Sequence, residues 1–372
     1  MSDHDAVIGS EDATISPVEG TKAEAEIFRP ISTIATLQVI ESVLLVLAAF
    51  YIGRAIILPV LLAILLKLLL QPAVRRLEKW LLPRGLAAAL TIASVIFVVV
   101  STFTALSGTA VQWAGKLQDG LPRLKDRLIL ISTPVLQLDK FLRDAEAWVH
   151  PGGGAVASGT AAGLPEMVLS GTANFAGGLI ATIIVLYFLL ISGDIFLRRL
   201  VEILPRFRDK KAAVRISQEI ETNISAYLVT ITGMNAAVGG VTVMLTWAAG
   251  LDNPPLWGVI AFLLNYIPMI GPAACLGILL LAGLVTLDSL VMALTPAAGF
   301  LIVHMIEGQF VTPLLVARRF TLNPVVVIVS LIFWYWLWGV AGAILAVPTL
   351  GIIKIICDGI RPWAAFGHLI EG

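Results

Sequence analysis

Two long apolar segments, each interrupted near its middle by Pro or Gly, constrain this chain more than any other feature. Residues 256–287 read LWGVIAFLLNYIPMIGPAACLGILLLAGLVTL, and residues 323–357 read NPVVVIVSLIFWYWLWGVAGAILAVPTLGIIKIIC. A bilayer core of about 30 Å is crossed by about 20 helical residues, so each segment exceeds one span and falls short of two. Two half-depth helices that meet at a Pro or Gly fit this length. Broken helices in two parts of one chain indicate the binding site of a secondary transporter.

The composition predicts a polytopic membrane protein. Of the 372 residues, 58% are hydrophobic and 13% are charged, whereas soluble domains average about 45–50% and about 25%. The 25 basic and 25 acidic residues balance, which argues against nucleic acid as a partner. Two cysteines in apolar segments and four scattered histidines predict neither a disulfide nor a metal site. No catalytic or cofactor-binding pattern is evident, so we expect neither an enzyme nor a cofactor.

We therefore predict an all-α, polytopic helical membrane protein with about eight hydrophobic segments, two of them re-entrant or broken helical hairpins. The predicted order is an acidic, disordered cytoplasmic tail (1–30), three N-terminal spans (31–110), an extramembrane amphipathic segment with a Gly-rich linker (111–170), a fourth span with a basic cytoplasmic linking helix (171–223), a transport core (224–358) and a cytoplasmic C-terminal tail (359–372).

Charge placement separates two topologies for the transport core. The loop 72–85 holds four basic residues and one acid, which predicts a cytoplasmic position. If both interrupted segments are single crossings, Arg318 and Arg319 face outside, against the positive-inside rule. If the first segment re-enters from outside and the second from inside, both arginines are cytoplasmic. We favour this topology, which places both termini in the cytoplasm and relates two span-plus-hairpin units as an inverted repeat.

The residues at the two interruptions are the first candidate transport site. A hairpin tip at membrane depth leaves backbone groups unpaired, and such backbone survives only where protein buries it or a watery cavity meets it. Asn265 offers an amide donor and acceptor there. The remaining candidates are the Pro and Gly residues that break or turn the helices: Pro268, Gly271, Pro272, Gly339 and Gly342. The alternative is that these residues merely kink ordinary spans.

Glu307 is the sharpest single candidate. It lies in the apolar stretch FLIVHMIEGQFVTPLL, one turn after His304. An ionisable side chain inside a span is costly, faces the protein interior and is a functional candidate by default. Gln309 and Thr312 add polar groups, and Pro313 loosens the end of the helix. The alternative is that Glu307 only holds helices together through hydrogen bonds.

Several stretches resemble the autoinducer-2 exporter family of bacterial membrane proteins. They are NYIPMIGP, EGQFVTPLLVARRFTLNPVVVIVSL and WGVAGAILAVP, and the resemblance extends over about residues 34–358. It implies a multi-pass permease of the bacterial inner membrane, with some members linked to autoinducer-2 export and others to sodium/proton antiport. It also suggests a homo-oligomer, with a pentamer as the suggested state. The motif positions are Asn323, Pro324, Pro348 and the candidate site residues above other than Gln309.

Three functions compete on these grounds. The favoured one is a secondary permease that exports a small polar metabolite such as autoinducer-2 through the bilayer. The second is a sodium/proton antiporter in which Glu307 exchanges the ions. The third is a non-transporting membrane scaffold that recruits partners through residues 111–148 and 194–222.

Overall fold

The computed structural model describes residues 33–131, 164–193, 195–311 and 322–371. These residues form helices, apart from short links and one isolated bridge between Leu322 and Glu371. The helices are α1 (Thr33–Ile52), α2 (Arg54–Glu78), α3 (Arg84–Ile131), α4 (Leu164–Ser192), α5 (Ile195–Ile203), α6 (Phe207–Ala248), α7 (Pro254–Leu264), α8 (Ile270–Thr286), α9 (Leu290–Ile306), α10 (Pro324–Gly359) and α11 (Ala364–Ile370). The chain divides into two units, of which the first contains α1 and the second contains α2–α11.

The prediction of a polytopic helical membrane protein is confirmed. Within the described ranges, five helices are long and apolar enough to cross a bilayer, or six if the bent pair formed by α4 and α5 is one span. The count of eight segments and the inverted repeat remain predictions. Two predicted boundaries, at 110/111 and 223/224, fall inside the continuous helices α3 and α6. The helix α3 continues past Gly108, Gly115 and Pro122, so these residues do not end it.

The first interrupted segment forms two short helices rather than one straight span. The helices α7 and α8 contain 11 and 17 residues and are separated by residues 265–269. The chain turns where Met269 has a φ of +63°, a left-handed value that is unusual outside Gly. The next Gly, Gly271, lies directly against the carbonyl of Leu264, where a Cβ atom would not fit. The predicted break between 256 and 287 is therefore present, and Gly271 is the residue that permits it.

The second interrupted segment folds back on itself. Within α10, Trp338 and Gly339 leave helical geometry, and Gly339 has a φ of +63°. The hydroxyl of Ser330 donates a hydrogen bond of 3.3 Å to the carbonyl of Ala346. Sixteen residues of straight helix would hold these positions about 24 Å apart. The two arms of α10 therefore form a hairpin, and Gly342 packs against the carbonyl of Trp334 at its turn.

The start and end of this hairpin are joined. Asn323 caps α10, since its side chain accepts a 2.9 Å hydrogen bond from the backbone N–H of Val325. Its own N–H donates to the carbonyl of Ile370 at 3.0 Å. On the returning arm, Nζ of Lys354 lies 2.7 Å from Oδ2 of Asp358 and 3.7 Å from Oε2 of Glu371. The segment after α10 thus closes the open end of the hairpin.

The helix α6 organises the second unit, because α2, α5, α7, α9 and α10 all contact it. Its closest neighbour is α7, and the two cross where Gly239 faces Gly258. A Cβ atom on Gly239 would lie 2.8 Å from the carbonyl oxygen of Gly258. Small residues allow membrane helices to approach this closely. The apolar core beside this crossing joins α3, α7, α8 and α9 and includes Trp113, Trp257, Leu279 and Phe300.

Candidate functional site

The break between α7 and α8 is tied to the middle of α6 by two polar contacts. Nδ2 of Asn265 donates to Oδ1 of Asn235 over 2.9 Å, and the hydroxyl of Tyr266 donates to that of Thr232 over 2.9 Å. Asn235 is fully buried, and its Nδ2 has no hydrogen-bond partner in the described part of the chain. A buried amide without a partner costs free energy, which makes it a ready donor for a ligand.

Glu307 lies at the start of a π-helical turn, Glu307–Val311, that extends α9. Its side chain is only 14% exposed, and its Oε2 lies 3.3 Å from Nδ1 of His304. The imidazole of His304 in turn lies parallel to the ring of Phe300, with centroids 6.3 Å apart. π-Helical turns inside α-helices occur frequently at functional sites. The carboxylate and imidazole thus form a pair that is screened from solvent on one side by an aromatic ring.

A cleft of about 620 Å³ separates this pair from α6. Its walls are apolar except for the Glu307 carboxylate and the hydroxyl of Thr230, which donates to the carbonyl of Ala226. A mostly apolar cavity with a few polar groups is the usual form of a small-molecule site. The lining residues are Val229, Thr230, Gly233, Met234, Ala237, Val238, Val241, Val303, Ile306 and Glu307.

The two polar features lie on opposite sides of α6. Thr232, Asn235 and Gly239 recur at three- and four-residue spacing and face the first interrupted segment (α7, residues 265–269 and α8), which is called the first hairpin from here on. The cleft-lining residues recur at the same spacing but are rotated by about half a turn, at 100° per residue. Asn265 and Glu307 are therefore separated by the body of one helix. In this conformation, the structure does not bring them into one pocket.

The other predicted site residues differ in burial, and some lie outside the described residues. Gly271 and Pro272 are buried at the start of α8, and Pro268 is half-buried in the link before it. Gly339 and Gly342 form the turn of the second hairpin, while Gln309 is exposed. Thr312, Pro313, Arg318 and Arg319 lie outside the described residues. The contacts of α10 are with α2, α6 and α11, so a shared pocket between both hairpin turns remains a prediction.

Sequence reasoning missed the partners on α6. Asn235, Thr232 and Tyr266 were not predicted, because a single Asn or Thr in an apolar helix is commonplace. A weak signal was available. Thr232, Asn235, Gly239, Thr242 and Thr246 are the small and polar residues of α6 that repeat at three- and four-residue spacing, which marks one face of a membrane helix for close packing.

The architecture defines the class of protein. Several apolar spans, two helices that break at buried or closely packed residues, and a sheltered intramembrane carboxylate together indicate a multi-pass membrane transporter. The sequence model described as AI-2E family transporter matches residues 40–361. The chain belongs to this family, and the predicted family resemblance is confirmed.

Known relatives extend over nearly the whole chain. It is 26% identical over 335 residues to the AI-2 transport protein TqsA of Escherichia coli (strain K12), which covers 89% of this chain and 94% of TqsA. It is 24% identical over 320 residues to "Putative transport protein YhhT" of the same strain, covering 85% of this chain and 88% of that protein. MT0215 of Mycobacterium tuberculosis (strain CDC 1551 / Oshkosh), named in the same way, is 27% identical over 372 residues and covers 92% of each chain.

Proposed function

We propose that this transporter is a secondary permease that exports a small, hydroxyl-rich metabolite of the autoinducer-2 type across the bacterial inner membrane. The observation that carries the proposal is the contact between the fully buried Asn235 and the half-buried Asn265 at the break between α7 and α8. A polar solute leaves water only if hydrogen bonds replace its hydration. The amide N–H of Asn235, which has no partner among the described residues, supplies such a group beside the break between α7 and α8.

A relative supports the choice of solute. The name of TqsA gives AI-2 as its transported molecule, and 94% of that protein aligns with this chain. In the proposed cycle, the hairpin α7–α8 moves against α6 and alternately breaks and remakes the Asn265–Asn235 and Tyr266–Thr232 hydrogen bonds. The second hairpin, in α10, belongs to the other half of a proposed inverted repeat and moves in the opposite sense. The proposed assembly is a homo-oligomer, and the proposed number of subunits is five.

The test is efflux from proteoliposomes that are loaded with isotopically labelled autoinducer-2, under imposed proton and sodium gradients. Loss of one neutral hydrogen bond is worth about 1 kcal/mol, so Asn265→Ala should lower efflux about fivefold. The matched control is Thr295→Val, since Thr295 is exposed and its hydroxyl bonds only to the carbonyl of Val291 on its own helix. Efflux by Asn265→Ala equal to that of the parent would remove the pair from the site. Absence of labelled efflux by the parent would refute the solute.

A second candidate is sodium/proton antiport, which the His304–Glu307 pair favours. An intramembrane carboxylate beside an imidazole can release a proton when it binds a sodium ion. Glu307→Gln keeps the shape of the side chain and removes the charge, so it should abolish pH-dependent sodium flux. The control is Glu219→Gln, because Glu219 is 44% exposed and pairs with Arg215. Parent-level sodium flux in Glu307→Gln would exclude Glu307 as the proton carrier and leave the metabolite proposal intact.

A further inference from the structure

We propose that a second cavity, formed by α2, α5 and α6, binds a phosphate ester, and that its natural ligand is the headgroup of an anionic phospholipid. The cavity has a volume of about 540 Å³. It lies apart from the cleft at Glu307 and from the Asn235–Asn265 pair. Its polar lining consists of Arg75, Arg198, Ser217, Gln218, Glu221 and Thr222.

The charge of this cavity suits a singly charged anion. Oε1 of Glu221 accepts hydrogen bonds from Nη2 of Arg75 and, at 2.9 Å, from Nε2 of Gln71. This pairing fixes the Arg75 guanidinium, which still has other N–H groups to donate because its side chain is 58% exposed. Arg198 has no ion-pair partner among the residues that the structure describes. Among the described lining residues, two guanidinium groups face one carboxylate, and this excess of one positive charge complements a phosphodiester.

The cavity lies where a lipid headgroup would meet the protein. On α2, Arg75 follows an apolar stretch that is long enough to cross the bilayer. The chain bends by 65° between α4 and α5, so α5 leaves the direction of its span. Large apolar side chains are exposed just after α2 and at the end of α5, namely Trp80 at 78% and Ile203 at 79%. Exposed Trp and Ile beside arginines are typical of the membrane–water interface.

The walls of the cavity favour a lipid over free phosphate. Leu197, Val201 and Val214 give it an apolar side beside the two guanidinium groups. Inorganic phosphate has no apolar atoms to pack against this side. The glycerol backbone and first methylenes of a phospholipid would cover it and remove its apolar surface from water. Basic pockets between membrane helices commonly hold anionic headgroups.

Two neighbouring arginines provide a matched test. Arg198 lines the cavity, whereas Arg199 does not and instead lies 3.3 Å from Glu202. The purified full chain is placed in phosphatidylcholine nanodiscs with increasing phosphatidylglycerol, and bound lipid is counted by native mass spectrometry. We expect saturable phosphatidylglycerol binding that Arg198→Gln weakens by about tenfold or more, the effect of losing a hydrogen bond between two charged groups inside the cavity. Arg199→Gln should match the parent.

Further arms make each outcome decisive. Ser217→Leu fills the cavity without changing its charge and should also weaken lipid binding. Such a loss would show that the lipid occupies the cavity and is not held by surface charge alone. It also provides a test if the Arg198→Gln variant fails to fold. Equal loss in both arginine variants, or no loss in Ser217→Leu, would overturn the proposal. Glycerol 1-phosphate and inorganic phosphate are added as competitors. Competition at micromolar concentration would support the phosphate chemistry but overturn the lipid as its source.

Discussion

Nδ2 of Asn265, at the break of the first hairpin, donates a 2.9 Å hydrogen bond to Oδ1 of the fully buried Asn235 in the middle of α6. The same hairpin also approaches α6 through Gly258 and Gly239. A broken helix therefore meets a continuous one through a polar contact and a close backbone crossing. The polar contact ties the break to α6, and the small residues at the crossing let the two backbones approach closely.

The Asn235–Asn265 contact should show measurable energetic coupling. Hydrogen bonds between membrane helices contribute about 0.6 kcal/mol on average, so we expect a double-mutant cycle of Asn235→Ala and Asn265→Ala to give a coupling of that order. The measurement is equilibrium unfolding in detergent micelles, with the single and double variants compared. Strict additivity of the two single effects would show that the contact contributes nothing to the fold.

Adjacent glycines on α6 should respond differently to a methyl group. In Gly239→Ala the new Cβ atom would lie 2.8 Å from the carbonyl oxygen of Gly258, so the helices must separate. Overpacking of this kind costs about 1–3 kcal/mol. Gly240 has no atom within 4 Å of its Cβ position, so Gly240→Ala should be neutral or slightly stabilising. Thermal unfolding of both variants tests the crossing, and equal melting temperatures would contradict it.

The fold-back of α10 can be tested by disulfide formation. The hydrogen bond from Ser330 to Ala346 brings residues 330 and 346 close enough for a disulfide after substitution by Cys. The background needs Cys275→Ala and Cys357→Ala, since these are the native thiols. Oxidation of Ser330→Cys/Ala346→Cys should give an intramolecular bond in most molecules. The control pair Val229→Cys/Leu245→Cys has the same spacing in unbroken α6 and should give none. Failure of both pairs alike would argue for a straight α10.

The orientation of the second hairpin can be tested at residue 318, which precedes α10 in the chain. The re-entrant topology predicts that position 318 is cytoplasmic. In an Arg318→Cys variant that also lacks the native thiols, an impermeant maleimide should label inverted membrane vesicles and spare intact spheroplasts. Labelling of spheroplasts alone would require single crossings and would eliminate the inverted repeat.

The sequence predicted the breaks better than their surroundings. Length and the Pro and Gly positions were sufficient to locate the turns near Gly271 and Gly339, since a bilayer limits what an apolar segment of that length can do. Asn235 could not be predicted, because its partner lies 30 residues away and is reached only through the crossing of α6 and α7. The separation of Asn265 from Glu307 was equally inaccessible, because it depends on which faces of α6 receive the two neighbouring helices.

The unbroken length of α6 has one more consequence. Its 42 residues extend about 63 Å, and the arginine-lined cavity, the wall of the cleft and the crossing at Gly239 all lie along it. A stiff rod cannot tilt at one end alone. Under the two proposals made above, a lipid that binds at one end of α6 therefore also restrains the part of α6 that contacts the transport site. We expect a change in the anionic lipid content of that leaflet to alter the rate of solute transport.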